Sequence, residues 1–235
     1  MDFEIDSLDY LLMPGKCHFG SLLINQYNTV YSHWKTLWTQ EFSSVGNQQP
    51  LAADDFMRQD IIASLWSGSH LVAFHLYCLF DLDQIPTLNH RYFSIFDSAA
   101  IETLTKRNAS RLMSMEFLSV HPDWRKSKIG ISLAAVMVGL GMKIMQNSDL
   151  QATIAPAKKT AKIDDLALAF GSTCLRKDVY RGNIHCDLMA CFKADLISYP
   201  DPQVNAGVQS LWLRRQDPLN LVSLARFERG NKIAA

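Results

Sequence analysis

Residues 111–145, RLMSMEFLSVHPDWRKSKIGISLAAVMVGLGMKIM, are the stretch that decides the fold. The segment from Leu112 to Val120 is apolar with few breaks. It is followed by His121-Pro122-Asp123, which favours a strand end because proline has no N–H for a sheet ladder. The segment from Ile129 to Met145 is rich in alanine, leucine and methionine, which predicts a long helix buried on most sides. The stretch therefore predicts a buried strand, a tight turn and a core helix.

The turn Arg125-Lys126-Ser127-Lys128-Ile129-Gly130 places basic side chains at the start of the predicted helix. The first N–H groups of a helix have no partner within it, and the helix dipole favours an anion there. The turn therefore predicts a phosphate site, and its ligand is expected to carry a pyrophosphate. A plain strand–helix unit with surface lysines is the alternative.

These residues resemble the signature of the GNAT acyltransferase superfamily. The signature stands here as Val120-His121-Pro122-Asp123-Trp124-Arg125, followed by the turn from Arg125 to Gly130. Arg125 and Gly130 match the pattern, whereas Lys128 stands where the family usually has its first glycine. Lys128 would crowd the phosphates or add a direct contact to them. The resemblance covers Arg111 to about Met145.

The resemblance implies an α/β (α+β) fold with a mixed, largely antiparallel central sheet flanked by helices. The sheet is splayed between its fourth and fifth strands, and the pantetheine arm of the donor lies in the opening. The implied reaction moves an acyl group, with acetyl as the first expectation, from acetyl-CoA or another acyl-CoA to an amine. The cofactor-binding residues implied in this way are Leu118, Val120, Arg125, Lys126, Ser127, Lys128, Ile129 and Gly130.

Composition indicates a globular protein of 235 residues with 48% hydrophobic residues and a formal net charge of zero. Neutrality gives no reason to expect nucleic acid as a partner. The apolar run between Lys128 and Lys143 is shorter than the ~18 residues that a membrane span needs. The acidic N-terminus lacks the positive flank of a signal peptide. Five scattered cysteines predict reduced core thiols in a cytoplasmic protein, and no metal site is expected.

The other elements are expected in the order that the superfamily shows. Residues 1–195 are predicted to form the acyltransferase domain, and residues 196–235 a basic extension that packs on it or trails from it. Predicted strands lie at 15–23, 61–66, 70–80, 150–155, 173–180 and 184–192, and predicted helices at 25–42, 51–58, 92–107, 159–170, 209–215 and 219–227.

Glu116 and Tyr180 are the candidate catalytic residues. Glu116 lies four residues before Val120, where many members of the superfamily carry a glutamate or histidine facing the acceptor. Its apolar neighbours predict partial desolvation and a raised pKa, which suits a general base. The alternative is a glutamate in solvent or in a salt bridge. The superfamily often uses a tyrosine on the helix after the fifth strand as the acid, and Tyr180 is the nearest tyrosine here. The alternatives are a sheet-face role for Tyr180, with Ser172 or a water as the acid.

Three functions remain open at this point. The first is an acyl-CoA-dependent N-acyltransferase acting on a small-molecule or protein amine. The second is a relative of the long-chain N-acyl amino acid synthases and acyl-homoserine lactone synthases, with acyl carrier protein as donor. The third is a GNAT-like binding module without catalysis. A homodimer is also left open.

Overall fold

Two β-sheets form the centre of the computed structural model, which describes residues 5–17, 21–47 and 50–225. The strands are β1 (Asp9–Met13), β2 (Ile61–Ser67), β3 (His70–Tyr77), β4 (Leu79–Asp81), β5 (Arg111–Ser114), β6 (Glu116–Val120), β7 (Ala152–Lys158), β8 (Thr173–Arg181) and β9 (Ile184–Phe192). The first sheet has the order β1-β2-β3-β6, and the second has the order β4-β5-β7-β9-β8. The neighbours are antiparallel except β5 and β7, which are parallel.

The opening between the sheets begins at Met115, within the segment predicted as one strand. Before this residue, β5 pairs in parallel with β7, and the Met115 N–H donates to the Ile154 carbonyl over 2.9 Å. After it, β6 leaves β7 and pairs with β3, with Glu116 opposite Leu76. The strands β6 and β7 therefore diverge toward their carboxyl ends. In the sequence prediction the fourth strand is 112–120 and the fifth is 150–155, which correspond to β5–β6 and β7. The predicted splay between them is confirmed.

An irregularity in the ladder marks the start of β6. The pairing with β3 shifts between Phe74 and Leu76, and Phe117 adopts a left-handed backbone with φ of 58°. Such a conformation costs a bulky residue on the order of 1–3 kcal/mol. The Phe117 ring packs edge-on against Trp34 and Trp38, with centroids 5.6 and 5.0 Å away. This packing holds the strained segment at the edge of the opening.

Helices cover both faces of the sheets. They are α1 (Ile24–Ser44), α2 (Asp54–Met57), α3 (Ser98–Lys106), α4 (Lys126–Ile129), α5 (Leu133–Gln146), α6 (Ile163–Leu168), α7 (Pro202–Leu213) and α8 (Leu221–Leu224). Most of α5 is buried in the largest hydrophobic cluster, as its apolar sequence predicts. The segment beyond residue 195 packs on the same cluster through Val204, Val208 and Leu211. The domain boundary at residue 195 stays a prediction.

Several predicted elements differ from the structure. The first strand is Asp9–Met13 and not 15–23, whose described part forms turns and bends and whose residues 18–20 lie outside the description. The helix expected over 92–107 is a 3-10 turn at Arg91–Ile95 followed by α3, because Asp97 caps the Ala100 N–H and starts a new helix. Of the helix predicted over 219–227, the structure describes only the short helix α8, and residues 226–235 lie outside the described residues.

The cysteines in the structure are free thiols, and Cys78, Cys186 and Cys191 are buried. Within the described ranges, no helix has the length and apolarity needed to cross a bilayer.

Candidate active site

A cavity of about 570 Å³ occupies the opening between β6 and β7. The name donor cavity is used for it below. At one end, where the two strands have diverged, its lining includes the exposed Arg125 and the partly exposed Lys158, and this end is called its mouth. At the other end, where β7 and β9 still pair, Thr153 and Cys191 are buried, and this end is called its closed end. Helix α1 covers one side, and α5 and α6 cover the other. Volumes of this size are typical of small-molecule sites.

Small side chains create the room in the donor cavity. Five alanines line it, one on α5, two on β7 and two on the segment that leads into and forms α6; they are Ala134, Ala155, Ala157, Ala161 and Ala167. The closed end is lined by larger apolar side chains, including Met115, Met142 and Met189. The cavity therefore suits a slender, mostly apolar ligand.

The basic turn, Arg125–Gly130, lies at the mouth of the donor cavity. Leu118, Val120 and Arg125 line the cavity, whereas Lys126, Lys128, Ile129 and Gly130 lie outside its lining. Nothing is described for the Ser127 side chain. The Lys128 ammonium pairs with the carboxylate of Asp123. Three of the predicted cofactor-binding residues therefore touch the cavity directly.

The amides of the basic turn differ from the prediction. Lys126–Ile129 forms the separate short helix α4, and the N–H groups of Lys128 and Gly130 donate to the carbonyls of Arg125 and Lys126, both over 2.8 Å. The long helix starts at Leu133 and not at Ile129, because Gly130 takes a left-handed φ of 81° that ends α4. Ser132 then caps the Ala135 N–H. The Ile129 N–H also donates to the Arg125 carbonyl, over 3.3 Å. The prediction of unpartnered amides in the turn is therefore wrong for Lys128, Ile129 and Gly130.

Glu116 is buried, with 2% of its surface exposed, and two arginines hold its carboxylate. Arg58 donates to both carboxylate oxygens, over 2.9 and 3.4 Å, and Arg181 donates to one of them. The Ser114 hydroxyl adds a bond of 3.0 Å. Burial alone would raise the pKa of Glu116, but the charges and hydrogen bonds of Arg181 and Arg58 hold that pKa below its usual range. The predicted raised pKa is therefore wrong, and the salt-bridge alternative describes this side chain.

Glu116, Arg58 and Arg181 are called the arginine cluster below. It joins three parts of the fold: Arg58 follows α2, Glu116 begins β6, and Arg181 ends β8. Sequence reasoning missed both arginines. Arg181 stood in a predicted turn and Arg58 at the end of a predicted helix, where a basic residue is ordinarily a solvated surface group. The one indication of them in the sequence was Glu116, because a carboxylate among apolar residues needs positively charged partners.

Tyr180 lies on the other side of β8 from the arginine cluster. Its side chain is 63% exposed and stacks on His185, with ring centroids 5.1 Å apart. Neighbouring residues of a strand point to opposite faces, and the adjacent Arg181 points toward Glu116. The structure does not bring Tyr180 to the donor cavity. Ser172, the alternative acid, lines that cavity.

A second cavity of about 50 Å³ adjoins the first and is called the small cavity. The two share Trp38, Met115, Phe117, Pro156 and Lys158 in their linings. Glu116 and Arg181 line the small cavity alone, so it connects the arginine cluster to the donor cavity. At its rim, Lys158 pairs with Glu41 of α1.

His75 lines the closed end of the donor cavity from β3. Burial lowers the pKa of its imidazole to about 3, so the ring is neutral at physiological pH. Among the described residues, no group of three histidine, cysteine or acidic side chains is arranged to hold a metal ion.

Comparison with known proteins yields matches in structure and none in sequence. No protein-family model and no curated protein matches the chain. A solved N-acyl amino acid synthase, FeeM, from uncultured soil microbes superposes with a TM-score of 0.53 at 8% identity, over 80% of this chain and 93% of that one. A CoA-dependent acyl-homoserine lactone synthase, BjaI, solved with SAM and isopentyl-CoA, superposes with a TM-score of 0.56 at 10% identity, over 93% and 98% of the two chains. At such identities the likeness concerns the fold alone, and the chain has a GNAT-like fold.

Proposed function

We propose that the protein is an N-acyltransferase that moves an acyl group from an acyl-CoA thioester to an amine. The observation that carries this proposal is the donor cavity, an apolar channel between two diverging strands with Arg125 at its mouth. The pantetheine arm and the acyl chain would fill the channel, and the phosphates would lie at the basic turn. Guanidinium and ammonium groups bind phosphates through charge-assisted hydrogen bonds.

The reaction forms one bond and breaks one. The amine nitrogen attacks the thioester carbonyl carbon, the carbon–sulfur bond breaks with its electron pair on sulfur, and the proton lost by nitrogen converts the leaving thiolate into the thiol. A bulge leaves backbone groups of its strand outside the ladder. Between the pairs Phe74–Ser119 and Leu76–Glu116, one residue of β3 faces two residues of β6, which is a bulge. The two bulged residues, Phe117 and Leu118, line the donor cavity. We assign their N–H groups to the developing oxyanion, a role that such donors commonly have.

The arginine partners of Glu116 bear on whether its carboxylate acts as the general base. Proton removal by Glu116 remains a prediction, but the two guanidiniums on its carboxylate reduce its basicity. An amine that reaches the thioester already neutral needs only to be held in line with it. The geometry supports positioning as the larger contribution.

A second candidate function is favoured by the length of the donor cavity. Its closed end includes Thr153 and Cys191, which pair with each other and lie level with Met113 of β5, four residues before the bulge at Phe117 where the thioester would lie. An acetyl group would leave this end unfilled. We therefore propose that the transferred acyl chain is longer than acetyl. Such chains are transferred by the long-chain N-acyl amino acid synthases and acyl-homoserine lactone synthases, for which acyl carrier protein is the expected donor.

Two measurements test these proposals. Titration calorimetry with coenzyme A should show binding, and thiol release from acyl-CoA should require an added amine. A series of acyl lengths, offered on coenzyme A and on acyl carrier protein, should give its maximum above acetyl. A binding module without catalysis would bind coenzyme A and release no thiol with any amine. Absence of binding to coenzyme A and to the carrier protein would contradict the proposed function.

A further inference from the structure

The arginine cluster and its nearest acid hold charges of both signs beside the small cavity. Glu116 contacts the guanidiniums of both Arg58 and Arg181. Asp55 lies 3.5 Å from Arg58 and 3.3 Å from Arg91, whose side chain is 73% exposed to solvent. The interior charges of the two arginines and the two carboxylates therefore balance. What favours a ligand here is the set of N–H donors that a guanidinium carries beside a poorly solvated cavity, because such donors need acceptors.

Arg181 is the member of the cluster that can reach such a ligand. A guanidinium carries five N–H donors, and Glu116 takes one of those of Arg181. The side chain is 26% exposed and lines the small cavity. Its guanidinium carbon lies 5.2 Å from the ring centroid of Tyr92 and 5.5 Å from that of Phe117. These rings and Glu116 hold the plane of the guanidinium in place.

The position of the small cavity limits what the ligand can be. Its volume of about 50 Å³ admits only a compact group. A planar carboxylate matches the fork of an arginine in a bidentate pair. Lys158 pairs with Glu41, and its ammonium has no planar fork. Arg181 has further N–H donors beside the one that Glu116 takes, so Arg181 is the stronger candidate for this contact. Because the small cavity shares Phe117 with the donor cavity, a carboxylate bound there lies next to the bulge assigned to the thioester.

We propose that Arg181 binds a carboxylate of the acceptor, so that the acceptor is an amino acid with its carboxylate close to the reacting amine. Glu116 is then a positioning residue, because it holds Arg181 in the orientation that receives the carboxylate. This inference rests on the proposed acyl transfer and specifies its acceptor.

The first test uses the wild-type protein and matched acceptors. The standard amino acids, their α-amides and the corresponding amines without a carboxylate are offered with a medium-chain acyl-CoA, and thiol release is measured. At least one amino acid should exceed its own amide and amine by about tenfold or more in kcat/KM, which corresponds to one charge-assisted bond. Equal rates for amino acid and amide would overturn the inference while supporting the acyl transfer.

The second test uses variants on β8. Arg181→Lys keeps the charge but loses the fork, and Arg181→Met loses both. The control is Lys177→Met, an exposed position on the same strand. KM for the amino acid should rise in the order wild type, Arg181→Lys, Arg181→Met, with KM for acyl-CoA unchanged, and the control should match wild type. An unchanged KM for the amino acid in Arg181→Lys would overturn the inference, even if Arg181→Met fails to fold.

A binding measurement separates this inference from the proposed function. The best amino acid and its amide are titrated by calorimetry against the protein with coenzyme A present, without any acyl transfer. Tighter binding of the amino acid than of its amide supports the carboxylate site even if no thiol is released. Equal binding contradicts the carboxylate site whatever the catalytic result.

Discussion

The basic turn and the arginine cluster both gather positive side chains, the turn beside the donor cavity and the cluster beside the small cavity, but they are built in opposite ways. The turn is contiguous in sequence, and its lysines are exposed. The cluster assembles residues that are 58 and 65 positions apart around a carboxylate whose side chain is fully buried. Charge on the surface is stabilised by water and contributes mostly to binding. Charge in the interior must be balanced by partners, so the cluster affects stability and acceptor choice together.

The largest expected effect comes from removing the buried carboxylate. Glu116→Leu leaves Arg58 and Arg181 without their shared partner, which should lower the free energy of unfolding by about 3–5 kcal/mol. Denaturant unfolding measures this. The matched change beside the turn, Asp123→Ala, removes the exposed partner of Lys128 and should leave the unfolding midpoint nearly unchanged. If both variants lose the same stability, the distinction between the two regions is wrong.

Glu116→Gln sharpens the comparison by keeping the shape and removing the charge. We expect KM for the carboxylate acceptor to rise about tenfold, since one charge-assisted bond orients Arg181, with kcat falling less than KM rises. Steady-state kinetics with the acceptor varied measures both constants. A fall of ~10²–10⁴ in kcat that is relieved at higher pH would instead identify Glu116 as the general base.

Arg125→Ala tests the turn alone. Loss of one phosphate contact should weaken coenzyme A binding by about tenfold, while the unfolding midpoint stays close to wild type. Calorimetry with coenzyme A measures the affinity, and Lys106→Ala, an exposed lysine on α3, is the control. If Arg125→Ala binds coenzyme A as tightly as wild type, the Arg125 side chain does not contact the phosphates and the assignment of the basic turn to donor binding is wrong.

The smallest effect is the difference between two substitutions in the backbone of the turn. Gly130 has a left-handed φ of 81°, and a side chain there would meet no atom within 4 Å. The cost of Gly130→Ala is therefore one of conformation, about 1–2 kcal/mol of unfolding free energy, and Gly130→Asn should cost less because asparagine tolerates this region. Thermal unfolding of the pair measures the difference. Equal stability of the two variants would show that the turn relaxes.

The parts of the fold that were predictable are those encoded locally. The apolar segment at 112–120, the helix of α5 and the hairpin of β2 and β3 follow from patterns of neighbouring residues. The break at Met115 was not predictable, because it depends on which strand each half pairs with. The same holds for the site: Arg125 follows from a contiguous motif, whereas Arg58 and Arg181 follow from contacts between distant segments. The pKa of Glu116 was predicted in the wrong direction for this reason.

The C-terminal segment has a consequence for how the folded protein behaves in solution. β1 is the outer strand of its sheet, and such strands offer free backbone groups to other molecules. Here Gln216 takes up two of these groups, since its N–H donates to the Tyr10 carbonyl over 2.8 Å and its carbonyl accepts from the Leu12 N–H over 2.9 Å. The segment after α7 therefore covers part of the edge of the sheet and disfavours pairing of this edge with another molecule. A chain shortened before Gln216 would expose these backbone groups of β1 and should aggregate more readily.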